Sequence, residues 1–397
     1  MVMRWPFRGL TSILLGVCLM APPGRAPLPA SAASDPVSRW LQGWPMVGHD
    51  PQRTNRSPNV GPIHLHALFQ RPHVYSQPLI GPDTAIYGWS RAGLFSLGAG
   101  GKRRWVYPAG EGDAGGPAAL RPDGALLAVG YPAHIPAPSP SYARVFAITR
   151  SGHLSWKIQA HYFSKGVAPF VTDQNQFYAP FVGPLSGKLD VLSASGRLIR
   201  RLTDGSFYAV ASAPDGTIYA FLKDRGLVAL DGHGSIRWQH DLGILDAPNL
   251  PLLVGQRGTV YVASSQGITA FNPAGAVLWQ DSAAAPMLAL AESPDGSILA
   301  ADAHSLTKLE PSGHPMWKVG IGTSTSLIPP ALAVDAQGTS YVATSDGDLR
   351  VISSAGTHIA QIVMGKPQPG SRPAIALGAA DRLVVLGADG ILHVYGG

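Results

Sequence analysis

A short motif that recurs at nearly constant spacing most constrains what this chain can fold into. It consists of a glycine followed four residues later by a bulky residue, and five of the nine tryptophans occupy the second position. Successive motif glycines are 38 to 51 residues apart, the spacing of repeat units that stack side by side. The seven occurrences are Gly101/Trp105, Gly152/Trp156, Gly196/Arg200, Gly234/Trp238, Gly275/Trp279, Gly313/Trp317 and Gly356/Ala360. In the last of them a small residue, Ala360, takes the place of the bulky one.

One repeat shows what a unit contains. Its sequence predicts four short β-strands separated by tight turns, since each turn holds glycine together with aspartate. Strands this short pair with their chain neighbours, so the unit is a four-stranded antiparallel sheet. The predicted strands are Phe207–Ala213, Thr217–Leu222, Leu227–Leu230 and Ser235–Gln239.

The number of turns predicts how the repeats close. The signal for the first turn of a unit occurs eight times, from Pro82-Asp83 to Ala380-Asp381, whereas the last-turn motif occurs seven times. The segment His64–Arg71 has no partner of its own and is predicted to supply the fourth strand of the last unit, which removes an open sheet edge. The predicted fold is therefore all-β, a closed eight-bladed propeller, with seven blades as the alternative.

The first 33 residues are predicted to be a secretory signal peptide. Arg4 and Arg8 precede an apolar run from Leu10 to Ala21 that is too short to span a membrane, and small residues around Ala32 form a cleavage site. Cys18 lies in a sequence similar to a lipoprotein box, but Val17 is large where such boxes need a small residue, so lipid anchoring remains an alternative. We expect an extracytoplasmic protein: periplasmic, secreted or on the cell surface.

The segment that follows, residues 34–62, is a polar lead-in, and residues 63–397 form the propeller. We expect the lead-in to lie against the side of the propeller with Trp40 and Trp44 in grooves between blades. No helix of useful length is predicted anywhere in the chain.

Charge and cysteine content exclude several classes of protein. Cleavage of the signal peptide lowers the net charge from +6 to +3, since Arg4, Arg8 and Arg25 leave with it, and the remaining basic residues are scattered along the chain. No nucleic acid partner is therefore expected. The single cysteine also leaves, which excludes a disulfide or a thiolate metal site. We expect a monomer without a transmembrane span.

Two repeats carry a more specific resemblance. The pattern from Ala229-Leu230-Asp231 to Trp238, and more loosely from Ala270 to Trp279, resembles the tryptophan-docking repeat of the pyrroloquinoline-quinone-type (PQQ-like) propellers. The stretch Trp44–Ser57 is similar to the lead-in of that superfamily, so the resemblance covers residues 44–397. It implies docking tryptophans on outer strands, packed between adjacent blades: Trp105, Trp156, Trp238, Trp279 and Trp317.

The resemblance implies a fold more than a function, because this superfamily includes quinone-dependent dehydrogenases, an outer-membrane assembly lipoprotein and pure binding modules. The enzymes resemble one another in an aspartate base, a bound calcium and often a vicinal disulfide. This chain has no cysteine pair. We therefore predict no cofactor, no catalytic residue and no enzymatic activity.

Insertions indicate where binding is expected. Tyr131–Arg144 and about Pro180–Lys188 lengthen the loops between second and third strands of two neighbouring blades, and such loops emerge on one face of the disc. We expect that face to bind a protein or glycan of the cell envelope through exposed aromatic and basic side chains. An alternative is that the aromatics only pack their own loops. The predicted binding residues are Trp89, Arg91, Tyr131, His134, Tyr142, Tyr162, Phe163, Phe181, Lys223 and Arg225.

Metal sites find little support. Asp302, Asp346 and Asp389 fall in equivalent turns of three consecutive late blades and could converge on a cation, but turn chemistry explains each of them separately. His64 and His66 share one face of the closing strand, where solvated histidines are expected. We predict no metal.

Three functional hypotheses follow. The first is a non-catalytic extracytoplasmic scaffold that binds another macromolecule through its loop-rich face. The second is an adaptor in envelope or outer-membrane assembly. The third is a quinone- or metal-dependent enzyme, either a dehydrogenase or a lactonase-like hydrolase.

Overall fold

Eight four-stranded antiparallel sheets follow one another along the chain. The computed structural model describes residue 1 and residues 36–108, 113–132, 142–161, 167–182, 187–243, 250–264, 266–281, 286–322 and 328–397. Residues 36–397 form one unit, which opens with a single helical turn, α1 (Pro36–Trp40). The predicted all-β propeller with eight blades is confirmed, and the seven-blade alternative is wrong.

The strands take the following bounds in chain order. The closing strand is β1 (His66–Pro72). Blade 1 holds β2 (Leu79–Ile80), β3 (Ile86–Ser90), β4 (Gly93–Leu97) and β5 (Arg103–Tyr107). Blade 2 holds β6 (Asp113–Leu120), β7 (Leu126–Pro132), β8 (Tyr142–Ile148) and β9 (Leu154–His161). Blade 3 holds β10 (Phe170–Val171), β11 (Phe177–Val182), β12 (Gly187–Leu192) and β13 (Leu198–Asp204). Blade 4 holds β14 (Phe207–Ser212), β15 (Ile218–Leu222), β16 (Gly226–Leu230) and β17 (Ile236–His240).

The second half repeats this arrangement. Blade 5 holds β18 (Leu252–Val254), β19 (Val260–Ser264), β20 (Gly267–Phe271) and β21 (Val277–Asp281). Blade 6 holds β22 (Ala289–Glu292), β23 (Ile298–Ala301), β24 (Ser305–Leu309) and β25 (Pro315–Gly320). Blade 7 holds β26 (Ala331–Val334), β27 (Ser340–Ala343), β28 (Asp348–Ile352) and β29 (His358–Val363). Blade 8 holds β30 (Ala374–Gly378), β31 (Arg382–Leu386) and β32 (Ile391–Gly396), completed by β1.

Burial follows the position of a strand within its blade. In blade 4 every residue of β15 and β16 is buried, whereas the outer strand β17 exposes or half-exposes each of its residues. The two central strands are covered by the blades on both sides, so they form continuous apolar runs instead of alternating patterns. The core therefore lies between the blades, and the four predicted strands of this unit agree with the observed ones to within a residue or two.

The first and last strands of the chain pair in blade 8. Strand β1 pairs antiparallel with β32, from His66 opposite Gly396 to Pro72 opposite Ile391, with a bulge between Ala67 and Phe69. The predicted closure by the segment ahead of blade 1 is confirmed. Since β32 is paired on both sides, the ring has no interior gap at the junction of the chain ends.

The two faces of the disc differ in what they carry. We call the face with the blade-to-blade connections and the loops between second and third strands the connection face. The opposite face carries the turns between first and second and between third and fourth strands, and we call it the turn face. This assignment follows from the antiparallel order of the strands within each blade.

The lead-in does not lie against the side of the propeller as expected, but crosses the turn face at the ring axis. In six blades, the last residue of the innermost strand donates its backbone N–H to a lead-in carbonyl, over 2.6–3.1 Å. An innermost strand is an unpaired edge, so its N–H groups need acceptors, and the lead-in supplies them. The donor and acceptor pairs are Ile80 to Trp44, Leu120 to Pro45, Ser212 to Pro51, Val254 to Gln52, Glu292 to Thr54 and Val334 to Asn55.

Tight bends let the lead-in follow the ring. His49, Arg53 and Asn55 adopt φ angles of 74°, 64° and 51°, a conformation that non-glycine residues adopt only where surrounding contacts enforce it. Trp40 and Trp44 are buried as expected, at 3% and 0% exposure. The lead-in is therefore part of the folded ring.

The two predicted insertions are shorter than the sequence suggested. Strand β7 extends to Pro132, where it pairs with β6, and β8 begins at Tyr142, where it pairs with β9, so both ends of the first insertion belong to strands. In blade 3, Phe181 pairs with Lys188. Within the described residues, no helix has the length and apolar character to cross a membrane.

Candidate functional site

Arg53 of the lead-in lies on the ring axis, at the turn-face end of the central channel. Its guanidinium donates to the carbonyls of Val47, Ala168 and Pro169, its Nε donates to the Val210 carbonyl at 3.3 Å, and it lies 5.7 Å from the centre of the Phe170 ring. Burial lowers the pKa of Arg53 to about 10, with Asp50 acting in the opposite direction, so the side chain stays charged at neutral pH. This cation is used to hold the lead-in to blades 3 and 4.

A cavity of about 310 Å³ lies on the ring axis next to Arg53. The lead-in residues Val47, Arg53 and Asn55 close it on one side, and the starts of the innermost strands surround it. Its walls combine leucine, alanine, valine and proline from six blades with polar side chains, among them Gln77, Tyr208 and Arg372.

A larger cleft of about 930 Å³ opens on the connection face where blade 8 meets blades 1 and 2. Tyr75 on its wall is 53% exposed, and Arg372 is exposed as well, with no acidic partner among the described residues. The carboxylate of Asp389 also lines the cleft, but it is 9% exposed and accepts a hydrogen bond from His393 at 3.0 Å. Gln70 bonds to the other ring nitrogen of His393 at 3.2 Å. The cleft therefore combines an exposed aromatic ring with an exposed cation.

The late-blade aspartates serve their own turns. Asp302 accepts the N–H groups of His304 and Ser305, both at 2.7 Å, and Asp389 accepts the N–H of Ile391 at 3.0 Å. Hydrogen bonds of this kind from a turn aspartate to its own backbone are what the sequence pattern indicated. Nowhere in the described part of the chain do three His, Cys, Asp or Glu side chains come together as a metal site would require.

A buried carboxylate lies where the lead-in meets blade 6. Glu292 is 2% exposed, pairs with Arg56 at 3.2 Å and accepts the N–H of Gln256 at 2.8 Å. Burial raises the pKa of Glu292, although these two partners lower it. The contacts of this group fix the lead-in and indicate a structural role.

Trp89 is not on the exposed face, and its predicted place there is wrong. It is 0% exposed and fills the groove between blades 1 and 2, edge-on to Phe146 with ring centres 6.2 Å apart. Blade 2 makes room for it at Gly115, where a Cβ atom would come within 2.5 Å of the Trp89 Cβ. The indole is buried because the neighbouring blade has no side chain there, which a repeat pattern within blade 1 does not reveal.

Three predicted binding residues lie exposed on the connection face: Arg91 in the β3–β4 turn, and Lys223 and Arg225 in the β15–β16 turn. His134, Tyr162 and Phe163 lie outside the described residues. For Tyr131, Tyr142 and Phe181 the backbone is described and is paired within strands β7, β8 and β11. Binding by this set remains a prediction.

The five repeated tryptophans lie half-buried on outer strands, and each indole N–H donates to a backbone carbonyl of the next blade over 2.8–3.0 Å. The partner glycine of each ring also comes from the next blade, not from its own. A Cβ atom added to Gly152, Gly196, Gly275, Gly313 or Gly356 would approach the ring of the preceding blade to 2.5–2.8 Å. The glycine and the tryptophan of one motif therefore belong to the same blade, but each tryptophan packs against the motif glycine of the next blade.

Phe69 of the closing strand takes the same position at the last junction, and the sequence reading missed it. A Cβ atom at Gly101 would come within 2.9 Å of the Phe69 ring, so blade 8 contacts blade 1 as the other blades contact their neighbours. The signal that could have found it is an aromatic residue within His64–Arg71 ahead of the first motif glycine.

Comparison with known proteins gives the family. No curated protein matches this sequence. Among solved structures the chain is similar to BamB from Moraxella catarrhalis, with 16% identity, a TM-score of 0.62, and coverage of 84% of this chain and 100% of that one. It is also similar to quinohemoprotein alcohol dehydrogenase from Comamonas testosteroni, with 12% identity, a TM-score of 0.64, and coverage of 89% and 80%. Likenesses at this identity show the fold alone.

A family model described as outer membrane protein assembly factor BamB matches residues 94–307, more than half of the chain. The matched region runs from β4 of blade 1 to β24 of blade 6 and contains four of the five docking tryptophans. The chain therefore belongs to this BamB family of PQQ-repeat propellers.

Proposed function

We propose that this protein is a non-catalytic, extracytoplasmic scaffold that binds another macromolecule through its connection face. The observation that carries the proposal is the asymmetry of the disc. The lead-in occupies the axis on the turn face, whereas the large cleft, the exposed Tyr75 and the exposed Arg91, Arg225 and Arg372 belong to the connection face. Exposed aromatic and arginine side chains on a rigid support are the usual anchors of protein contacts.

A more specific version of this proposal is that the partner is a protein engaged in envelope assembly. The family supports it, since the matching family model is described as an outer membrane protein assembly factor. A glycan partner is the other form. Both predict the same binding face, and recovery of the partner from the native envelope followed by mass spectrometry distinguishes them.

The test is a double charge reversal, Arg91→Glu with Arg225→Glu, in the full chain. Both side chains are exposed, so the fold is expected to survive, and capture of the envelope partner is expected to weaken at least about tenfold. Arg257→Glu is the control for the opposite face, since Arg257 is exposed on the turn face in the β18–β19 turn, and it is compared with each single reversal, Arg91→Glu and Arg225→Glu, as well as with the double variant. Equal loss in the control, or full capture by the double variant, would refute the assignment of the face.

The enzyme hypotheses need their own measurement. Absorbance of a bound quinone, or one equivalent of metal in the purified protein together with turnover of an alcohol or a lactone, would replace the scaffold proposal.

A further inference from the structure

Positive charge is concentrated on one part of the rim. Residues 99–107, 149–161 and 193–204 form the last turns and outer strands of blades 1, 2 and 3, and they contain eight lysines and arginines and one acidic residue, Asp204. The equivalent residues of blades 4 to 7, which are 231–240, 272–281, 310–320 and 353–363, contain two cations and three acids. Because blades 1 to 3 are consecutive, their outer strands are neighbours on the circumference, and the scattered basic residues of the sequence become one patch. We call it the basic rim: Lys102, Arg103, Arg104, Arg150, Lys157, Arg197, Arg200 and Arg201.

Much of this charge is not neutralised within the protein. Asp83 pairs with Arg104 and Arg150, and Asp190 pairs with Arg201. Four exposed cations of the basic rim form no ion pair among the described residues: Lys102, Arg103, Lys157 and Arg197. Uncompensated cations this close to one another repel, so their retention favours an anionic partner.

Apolar side chains are interleaved with these cations. Leu154 on β9 is 38% exposed, and Leu198 and Ile199 on β13 are 53% and 46% exposed. Leu198 directly follows Arg197 in the chain. A hydrated polyanion gains nothing from these side chains, whereas the boundary between headgroups and acyl chains of a bilayer accepts both the cations and the apolar groups.

The chain also enters the propeller near this region. Helix α1 lies on the turn face, where the Trp40 indole N–H donates to the Leu120 carbonyl of blade 2 at 2.9 Å, and Val37 packs against the core shared by blades 2 and 3. Most of the basic rim lies at the turn-face ends of the outer strands, since five of its residues belong to the last turns or the first two strand positions. Helix α1, with which the described unit begins, thus lies on the face that bears most of these cations.

We infer that the basic rim of blades 1 to 3 docks onto an anionic phospholipid surface. The cations contact lipid phosphates, and Leu154, Leu198 and Ile199 enter the interface. This orientation turns the cleft of the connection face away from the membrane, where a partner can reach it. The inference does not depend on the proposed function, because a different set of residues carries it.

The experiment measures binding of the full chain to vesicles. The protein is purified in one N-terminal form, verified by mass spectrometry, and is sedimented with phosphatidylcholine vesicles that contain either no phosphatidylglycerol or about one third phosphatidylglycerol. The quantity of interest is the increase in affinity with the anionic lipid, since any binding through the N-terminal segment is common to all variants. We expect this increase to fall as salt rises, because screening shortens the reach of exposed charges.

Two variants and one matched control separate the contributions. Lys157→Glu with Arg197→Glu is expected to weaken binding to anionic vesicles about 25-fold or more, at about fivefold for each cation removed. The control, Arg91→Glu with Arg225→Glu, changes net charge equally on the connection face and is expected to leave vesicle binding unchanged. Ile199→Ser keeps every charge and is expected to weaken vesicle binding while leaving binding to a soluble acidic polysaccharide unchanged.

Three outcomes would overturn the inference: no dependence on anionic lipid, equal losses in the rim variant and the control, or binding to the polysaccharide but not to the vesicles. Thermal unfolding at the wild-type temperature shows that each variant is folded. If the rim variant does not fold, charge reversal of Lys102 and Arg103, which are exposed on blade 1, replaces it.

Discussion

Removal of the docking tryptophan of blade 4 gives the sharpest test of how the blades hold together. The Trp238 indole N–H donates to the Pro273 carbonyl at 2.9 Å, and its ring centre lies 5.6 Å from that of Tyr219 and 5.9 Å from that of Phe271. The ring also covers Gly275, which has a φ of 89° and no room for a Cβ atom. Of these four contacts, the three with Phe271, Pro273 and Gly275 cross from blade 4 to blade 5, and the one with Tyr219 lies within blade 4.

The magnitude follows from these contacts. A buried tryptophan covers about 150–250 Å², so a half-buried indole removes about 100 Å² from water, worth about 2.5 kcal/mol. The hydrogen bond contributes about 1 kcal/mol and the aromatic pairs about 0.5 kcal/mol more. We therefore expect Trp238→Ala to lower the free energy of unfolding by about 4 kcal/mol, and Trp238→Phe, which keeps most of the area, by about 1–2 kcal/mol.

A double-mutant cycle in urea shows whether the glycine and the ring act together. Gly275→Ala should lower the free energy of unfolding by about 1–2 kcal/mol because of the positive φ, and by a further amount because the added Cβ atom overlaps with the indole. In the Trp238→Ala background only the cost of φ remains, so the two changes should couple by about 1 kcal/mol or more. Gly216→Ala is the matched control, because Gly216 has a φ of 83° and no atom within 4 Å of its Cβ position.

Two results would refute this account of docking. The first is a cost for Gly275→Ala no larger than that for Gly216→Ala. The second is a Trp238→Ala variant whose urea midpoint equals that of the wild type while its capture of the envelope partner is lost, since that would make the indole a binding residue.

Three further changes test the closure, the lead-in and the pH dependence. Phe69→Ala should destabilise the protein by about 2–3 kcal/mol, because it leaves a cavity at the junction of blades 8 and 1. The control Leu68→Ala removes a side chain that is 48% exposed and should change the urea midpoint little. Equal effects of the two substitutions would contradict the docking role of the Phe69 ring. Arg53→Gln removes four hydrogen bonds to carbonyls and should accelerate hydrogen exchange in residues 44–55 while the outer strands keep their protection; unchanged exchange would show that the lead-in is held without it. Burial raises the pKa of Asp295, but hydrogen bonds from Lys308 and Ser297 outweigh this effect and hold that pKa well below 3.8. This carboxylate therefore stabilises the fold above pH 3.8, and its contribution is lost as pH falls through the lowered pKa. Asp295→Asn should destabilise the protein at pH 7 and make the free energy of unfolding less dependent on pH below 3.8, and an unchanged pH dependence in that range would contradict the pairing.

The two proposed surfaces can be tested independently because they involve opposite ends of the strands. The same pair of double variants serves both assays: reversal of Arg91 and Arg225 should weaken partner capture and spare vesicle binding, and reversal of Lys157 and Arg197 should weaken vesicle binding and spare partner capture. A variant that loses both activities would indicate a folding defect or a single shared surface.

Local sequence determined the blades. The turn residues Pro214, Asp215 and Gly216 lie next to one another in the chain, and the φ angle of 83° at Gly216 is a property of that tripeptide. The number of such turns was enough to predict eight blades, because strand pairing within seven of them joins segments only a few residues apart. The closure joins strands more than three hundred residues apart, and it was predictable because the count of turns left one strand unpaired near each end of the chain.

Contacts between blades and across the ring were decided by the tertiary structure. Trp89 is buried because Gly115 of the next blade leaves space for it, and Arg53 is buried because carbonyls of blades 3 and 4, more than one hundred residues away, accept its hydrogen bonds. The lead-in sequence does not indicate that the inner strands lack acceptors. The basic rim likewise arises only when Arg103, Lys157 and Arg197 are brought together by the stacking of three blades, since along the chain they are separated by apolar strands and turns that carry no common charge pattern.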